Sequence, residues 1–93
     1  MKAKSELTFH VINLPQWQEI VGVYKGMSQS GNPVLEVQGR IIEVNVLNLL
    51  SRGQLEKCLK GILEGSLIGI LRTDSADSPI LFRILKTRGD GVK

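Results

Sequence analysis

The sequence predicts a mainly β domain, a five-stranded Greek-key barrel with one helix between its third and fourth strands. Three observations carry this. Short apolar runs alternate with polar residues, clusters of Gly, Asn, Pro and Ser separate them, and one segment alone repeats its apolar residues at helical spacing. Ninety-three residues fit a single domain, and a chain of that size buries about two-thirds of its unfolded surface, enough for one modest core.

Taken in order, residues 1–5 and 88–93 are polar and have little to bury. Leu7 to Ile12 carries β-branched and aromatic residues and predicts a short leading strand or an extended arm, stopped by Leu14-Pro15. Residues 1–16 are therefore assigned to an N-terminal arm, 17–86 to the barrel and 87–93 to a flexible basic tail. The first barrel strand spans Gln18 to Met27, with Ile20, Gly22, Tyr24 and Gly26 on one face and Val21 and Val23 on the other. Two glycines on one face predict close backbone approach or a bulge. Ser28 to Pro33 is a turn cluster. The second strand, Val34 to Gln38, alternates Leu35 and Val37 with Glu36 and Gln38, and Gly39-Arg40 is short enough for a tight hairpin. The third strand, Ile41 to Val46, turns Ile42, Val44 and Val46 inward and Ile41, Glu43 and Asn45 outward.

Ser51 with Gln54 three residues later is a capping box, and Leu50 and Leu55 flank it as a hydrophobic staple. Leu55, Cys58, Leu59 and Ile62 follow at helical spacing, which reads Cys58 as a small buried hydrophobe. Lys57 and Lys60 suit the negative end of the helix dipole, and Gly61 or Gly65 ends the helix. The last two strands, Ser66 to Arg72 and Ile80 to Lys86, are nearly continuously apolar and are joined by the polar loop Thr73–Pro79. Three strands, a helix and two strands is the connectivity of the oligonucleotide/oligosaccharide-binding (OB) barrel.

The formal charge of +3 invites a nucleic-acid reading, but its placement is uneven. Residues 17–86 hold eight basic and seven acidic side chains, so the rest of the excess lies on the two ends. A phosphate-binding surface must then come from clustering or from the basic tails. One cysteine excludes an internal disulfide, and no apolar run approaches the roughly 20 residues of a membrane span. The N-terminal residues read as no signal peptide. The expected setting is the reducing cytoplasm, away from membranes. One histidine, His10, and one cysteine cannot assemble a triad or a zinc site, and no phosphate-binding glycine loop is present. The expectation is therefore no enzyme, no catalytic residues, no metal and no cofactor. Arg88-Gly89-Asp90 matches an adhesion tripeptide by chance.

The runs Ile20-Val21-Gly22-Val23-Tyr24-Lys25-Gly26 and Gly31-Asn32-Pro33-Val34-Leu35 carry a resemblance. Leu49-Leu50, Gly65-Ser66-Leu67-Ile68-Gly69-Ile70 and Phe82-Arg83-Ile84-Leu85 extend it. Over residues 17–86 the pattern resembles small OB-fold proteins of phages and mobile elements that are described as single-stranded-DNA-binding. There a Gly-Val-Tyr-x-Gly strand leads to a Gly-Asn-Pro turn, and a Leu-Leu helix precedes a Gly-Asp strand start. Ser66 stands here in place of that acidic residue.

The candidate nucleic-acid-binding residues are Tyr24, Lys25, Arg40, Trp17 and Arg72. Tyr24 offers a ring for base stacking and is otherwise a half-buried strand tyrosine. Trp17 is a second aromatic, or else a core or rim anchor. Lys25 and Arg40, on strands that the reading brings near one another, offer charges for phosphates, and Arg72 adds a third; the bland reading is solvated strand edges. The expected function is single-stranded nucleic-acid binding, DNA before RNA, without catalysis. The alternative is a protein-interaction module or an oligomerising subunit, through the edges of the two apolar strands.

Overall fold

The computed structural model describes residues 10–87. Residues 7–9 of the predicted arm strand, the basic tails and the Arg-Gly-Asp tripeptide lie outside them. The elements are β1 (His10–Ile12), β2 (Glu19–Met27), β3 (Pro33–Val37), β4 (Arg40–Val44), α1 (Arg52–Leu59), β5 (Leu67–Arg72) and β6 (Ile80–Lys86). They form one six-stranded sheet in the order β1-β4-β3-β2-β5-β6. All neighbours are antiparallel except β1, which lies parallel to β4 from His10↔Ile42 to Ile12↔Val44.

The chain is thus mainly β with one short helix, but the predicted closed five-stranded barrel is replaced by an open six-stranded sheet. The pairing directions give the reason. Successive antiparallel pairings make β6 run in the same direction as β4, so closure would set β6 parallel on the free edge of β4. β1 occupies that edge instead, in that same parallel sense, and β6 is paired only to β5 among the described residues.

The core lies under the inward face of the sheet. Tyr24, Leu35, Val44, Val46, Ile68, Ile70 and Ile80 meet Leu14, Leu50, Leu55 and Leu59 there. The helix forms as its sequence demands: the Ser51 side chain accepts from the Gln54 amide while the Gln54 side chain accepts from the Ser51 amide. Only Leu55 and Leu59 of α1 are buried. Cys58, expected to be buried, is exposed. The helix ends after Leu59, and one face of two turns suffices for two leucines one turn apart, leaving Cys58 beside that stripe.

The β3–β4 hairpin turns on Gln38-Gly39, with φ of 53° and 80°. Positive φ at both central residues is the signature of a type I′ turn, whose twist matches the flanking strands. Val37 pairs with Arg40 on either side of it. At Gly22 a Cβ would sit 2.7 Å from both the Glu36 carbonyl oxygen and Val37 Cγ2. Absence of a side chain there is what lets β3 press onto β2.

Glu43, expected on the outward face, is buried. It is held by Asn32, whose Nδ2 donates to Glu43 Oε2 at 3.0 Å. Asn32 Oδ1 accepts from the Val46 and Leu47 amides at 3.0 and 3.1 Å, which fixes the orientation of the side-chain amide. The Asn32 backbone is bonded in turn to Ser28, through Ser28 N to Asn32 O at 2.8 Å and Asn32 N to Ser28 Oγ at 3.3 Å. One side chain therefore ties the β2–β3 turn to the end of β4. Burying a carboxylate costs free energy unless it is hydrogen-bonded in this way.

Two outcomes follow for stability. Asn32→Asp keeps the two amide acceptances but sets a carboxylate against Glu43; about 3 kcal/mol should be lost in urea unfolding at neutral pH. Adding Glu43→Gln restores a donor and should recover most of the loss; a double variant no more stable than the single one would refute this account. Gln38→Asn should raise stability by about 0.5 kcal/mol, because asparagine tolerates the left-handed conformation better; an unchanged denaturation midpoint would contradict it.

Candidate nucleic-acid interface

Tyr24 follows Gly22 on the inward face of β2 and is 6% exposed, a member of the core. Its amide donates to the Ser66 carbonyl at 2.8 Å, and its carbonyl accepts from the Gly65 amide at 2.7 Å. Burial, and secondarily the nearby Glu64 charge, push its phenol above the ordinary tyrosine range. The ring is therefore packed against the core, with no free face for stacking.

Lys25 alternates to the other face of β2. It lies 3.7 Å from Glu36, with both side chains a little under half exposed. Arg40 is exposed and borders an open groove with His10, Gly39 and Ile41. The register separates the two cations. Arg40 pairs with Val37, which shares a face with Leu35 and hence with Tyr24. Arg40 therefore emerges on the opposite face of the sheet from Lys25, two strands away, and the predicted pair does not form a cluster.

Trp17 and Arg72 are brought together. The Trp17 amide donates to the Arg72 carbonyl at 2.6 Å and the Arg72 amide to the Gln18 carbonyl at 3.0 Å. Arg72 Nη1 also donates to the Leu14 carbonyl at 3.0 Å. One residue thus holds the Leu14–Gln18 segment by backbone and side chain together. Trp17 has a φ of 62°, a left-handed conformation that costs a non-glycine residue roughly 1–2 kcal/mol. Its side chain is 60% exposed. A large aromatic ring held in water on a strained backbone is the least economical feature of the surface, and strain of this kind concentrates at binding sites.

A groove of about 310 Å³ lies between Gln16, the residue before Trp17, Asn48, Leu49, Arg72 and the loop that follows from Thr73 to Pro79. That loop is bonded to itself. Thr73 Oγ1 donates to the Ser78 carbonyl at 2.6 Å and accepts from the Ser75 amide at 3.0 Å. Ser75 Oγ accepts from the Asp77 and Ser78 amides at 3.2 Å. The Thr73 amide closes the loop onto the Pro79 carbonyl at 2.8 Å. Arg72 Nε is buried without a hydrogen-bond partner among the described residues. The groove carries Arg72 and Asp74 together, so its lining is of mixed charge and rich in amide and hydroxyl groups.

The sequence reading missed an ion pair on the outward face. Arg83 of β6 reaches Glu19 of β2 with two bonds, Nε to Oε2 at 2.7 Å and Nη2 to Oε1 at 2.9 Å. The pair crosses the intervening strand β5 at Gly69, where a Cβ would collide with Glu19. A glycine inside an apolar strand was the available signal. The hydrogen bond from Arg83, and then its charge, hold the Glu19 carboxyl below the ordinary glutamate range. A lowered carboxyl pKa stabilises the fold at pH values above its unfolded value, and the gain is lost as pH falls through the folded one. Glu19→Gln should therefore be less stable than the parent at neutral pH, with the gap closing in acid; a gap that does not change with pH would remove the pair from the stability account.

Among the described residues, no group of three or more His, Cys, Asp or Glu side chains is placed to hold a metal ion, and no helix is long and apolar enough to cross a membrane. No protein-family model matches the chain, and neither curated proteins nor solved structures give a match to it.

Proposed function

We propose that this protein binds single-stranded nucleic acid, DNA before RNA, with Trp17 as its stacking platform together with the Arg72 groove. The observation that carries the reading is Trp17 itself, exposed on a left-handed backbone that Arg72 fixes. We read strands β2 to β6 as an OB-type Greek key left open at one seam. In OB domains the loop between the fourth and fifth strands is one of the ligand-contacting loops. Its counterpart here is Thr73–Pro79, which lines the groove.

The chemistry follows from the lining. Every base has a π-face, and stacking on one aromatic contributes about 1–3 kcal/mol per base. Gln16 and Asn48 offer donors and acceptors to base edges, while the Thr73 and Ser75 hydroxyls hold the loop itself. Of the candidate cations, Arg72 is bonded through Nη1 to the Leu14 carbonyl, Lys25 is engaged by Glu36 and Arg40 stands apart. Affinity thus rests on stacking more than on charge, and binding to a single strand should fall only shallowly with salt, because its slope counts the phosphates neutralised.

Trp17 is the only tryptophan, so its emission reports the site directly. Titration with oligo-dT at low salt should quench it, with anisotropy of a labelled strand rising in parallel. Trp17→Ala should weaken binding by roughly five- to 150-fold, the equivalent of one stacked base. Tyr24→Phe and Lys25→Ala should leave it unchanged. Unaltered emission together with flat anisotropy at low salt would overturn the proposal.

A further inference from the structure

The groove that follows β5 holds two opposite charges, Arg72 and Asp74, and no ion pair joins them among the described residues. Asp74 is exposed, and its carboxylate accepts no hydrogen bond among those residues. The Arg72 guanidinium is only partly committed. Nη1 donates to the Leu14 carbonyl at 3.0 Å. Nε is buried without an acceptor, and Nη2 has none either but is not buried. Nη2 is thus the nitrogen of Arg72 that a ligand can reach, with both of its N–H bonds free. The unsatisfied Nε adds to the demand for acceptors around this guanidinium, since a charged donor without a partner is costly. The groove's volume of about 310 Å³ lies at the lower end of the range for small-molecule sites, suited to one base and not to a run of them.

The two charges narrow the choice of ligand. A carboxylate in the same groove repels a phosphate but accepts from a neutral ring that carries donors. Gln16 and Asn48 have amides that can serve any base, so discrimination falls to Arg72 and Asp74. Guanine alone among the common bases has two adjacent acceptor atoms, O6 and N7, and two adjacent donor atoms, N1 and N2. Adenine, cytosine and thymine each offer a carboxylate one donor nitrogen. We propose that this groove selects guanine within a single strand, Arg72 Nη2 donating to O6 and N7 and Asp74 accepting from N1–H and N2–H, an inference that rests on single-strand binding at Trp17.

The test is a set of binding titrations of the full chain at low salt, read by Trp17 emission and by anisotropy of a labelled strand. The probes are oligo-dT and the same strand with one central guanine, adenine, cytosine, hypoxanthine or 7-deazaguanine. The guanine strand should bind roughly five- to 150-fold more tightly than oligo-dT, the discrimination of a bidentate contact. Hypoxanthine, which lacks the N2 amino group, and 7-deazaguanine, which lacks the N7 acceptor, should each give up part of that gain. Asp74→Asn, checked for folding by circular dichroism, should erase the difference between guanine and hypoxanthine while the difference between guanine and 7-deazaguanine persists. Quenching of Trp17 by every strand with equal affinity would overturn guanine selection and leave the stacking reading in place. A preference for cytosine or adenine would overturn it too, as would a guanine–hypoxanthine difference that survives Asp74→Asn. No response to any strand would overturn the stacking reading and this inference with it.

Discussion

The side chain of Asn32 is the constraint on which most of the fold depends. β4 ends at Val44, yet Val46 must still enter the core, where it is fully buried. Leaving a strand exposes backbone amides that need partners. Asn32 Oδ1 takes the Val46 and Leu47 amides at the point where the ladder stops. The Val46 carbonyl then accepts from the Leu49 and Leu50 amides, and this turn delivers Leu50 to the core and Ser51 to its cap position. The route from sheet to helix thus starts at a residue that belongs to a different turn, eleven positions before Glu43. Alanine at this position would leave two amides and a buried carboxylate without partners together, a larger penalty than any single lost contact.

Local patterning in the sequence was sufficient for the elements and insufficient for their assembly. Alternation placed β2, β3 and β4 within about two residues, and the Ser51–Gln54 box placed the start of α1. These signals are local, because each depends on neighbours a few positions away. Closure depends on which strand reaches the free edge of β4, and nothing in His10-Val11-Ile12 announces a parallel partner thirty-two residues later. Glu43 lies on the face that alternation gave it, opposite to Ile42, yet is buried for a related reason. Alternation gives a face, but burial of that face depended on Asn32, which a turn motif marked only as a turn residue.

The candidate site shows the same division. Side-chain type singled out five residues, and strand register then dispersed them. Tyr24 shares a face with Gly22 and is drawn into the core by the alternation that made it look like a ligand contact. Lys25 and Arg40 lie two strands apart, on β2 and β4, and on opposite faces of the sheet. Trp17 and Arg72 are fifty-five positions apart in sequence and are joined by a backbone hydrogen bond, a relation that only the β2–β5 register creates.

That register also explains why the Trp17 end of the sheet is rigid enough to hold an exposed ring. Beyond Glu19↔Leu71 the ladder continues through Gln18 and Trp17 to Arg72. The Arg72 guanidinium then ties back to Leu14, whose side chain is buried in the core. On the other side, the Thr73–Pro79 loop satisfies its own amides with Thr73 and Ser75. Strain at Trp17 persists because both flanks are fixed, and a backbone already fixed in place loses little further freedom if a flat ligand stacks on the ring. Lys25, by contrast, must first give up Glu36 to meet a phosphate. Preorganisation of the backbone, more than charge, therefore distinguishes the Trp17 end of β2 from the Lys25 end, and it is the ground for proposing the binding surface there.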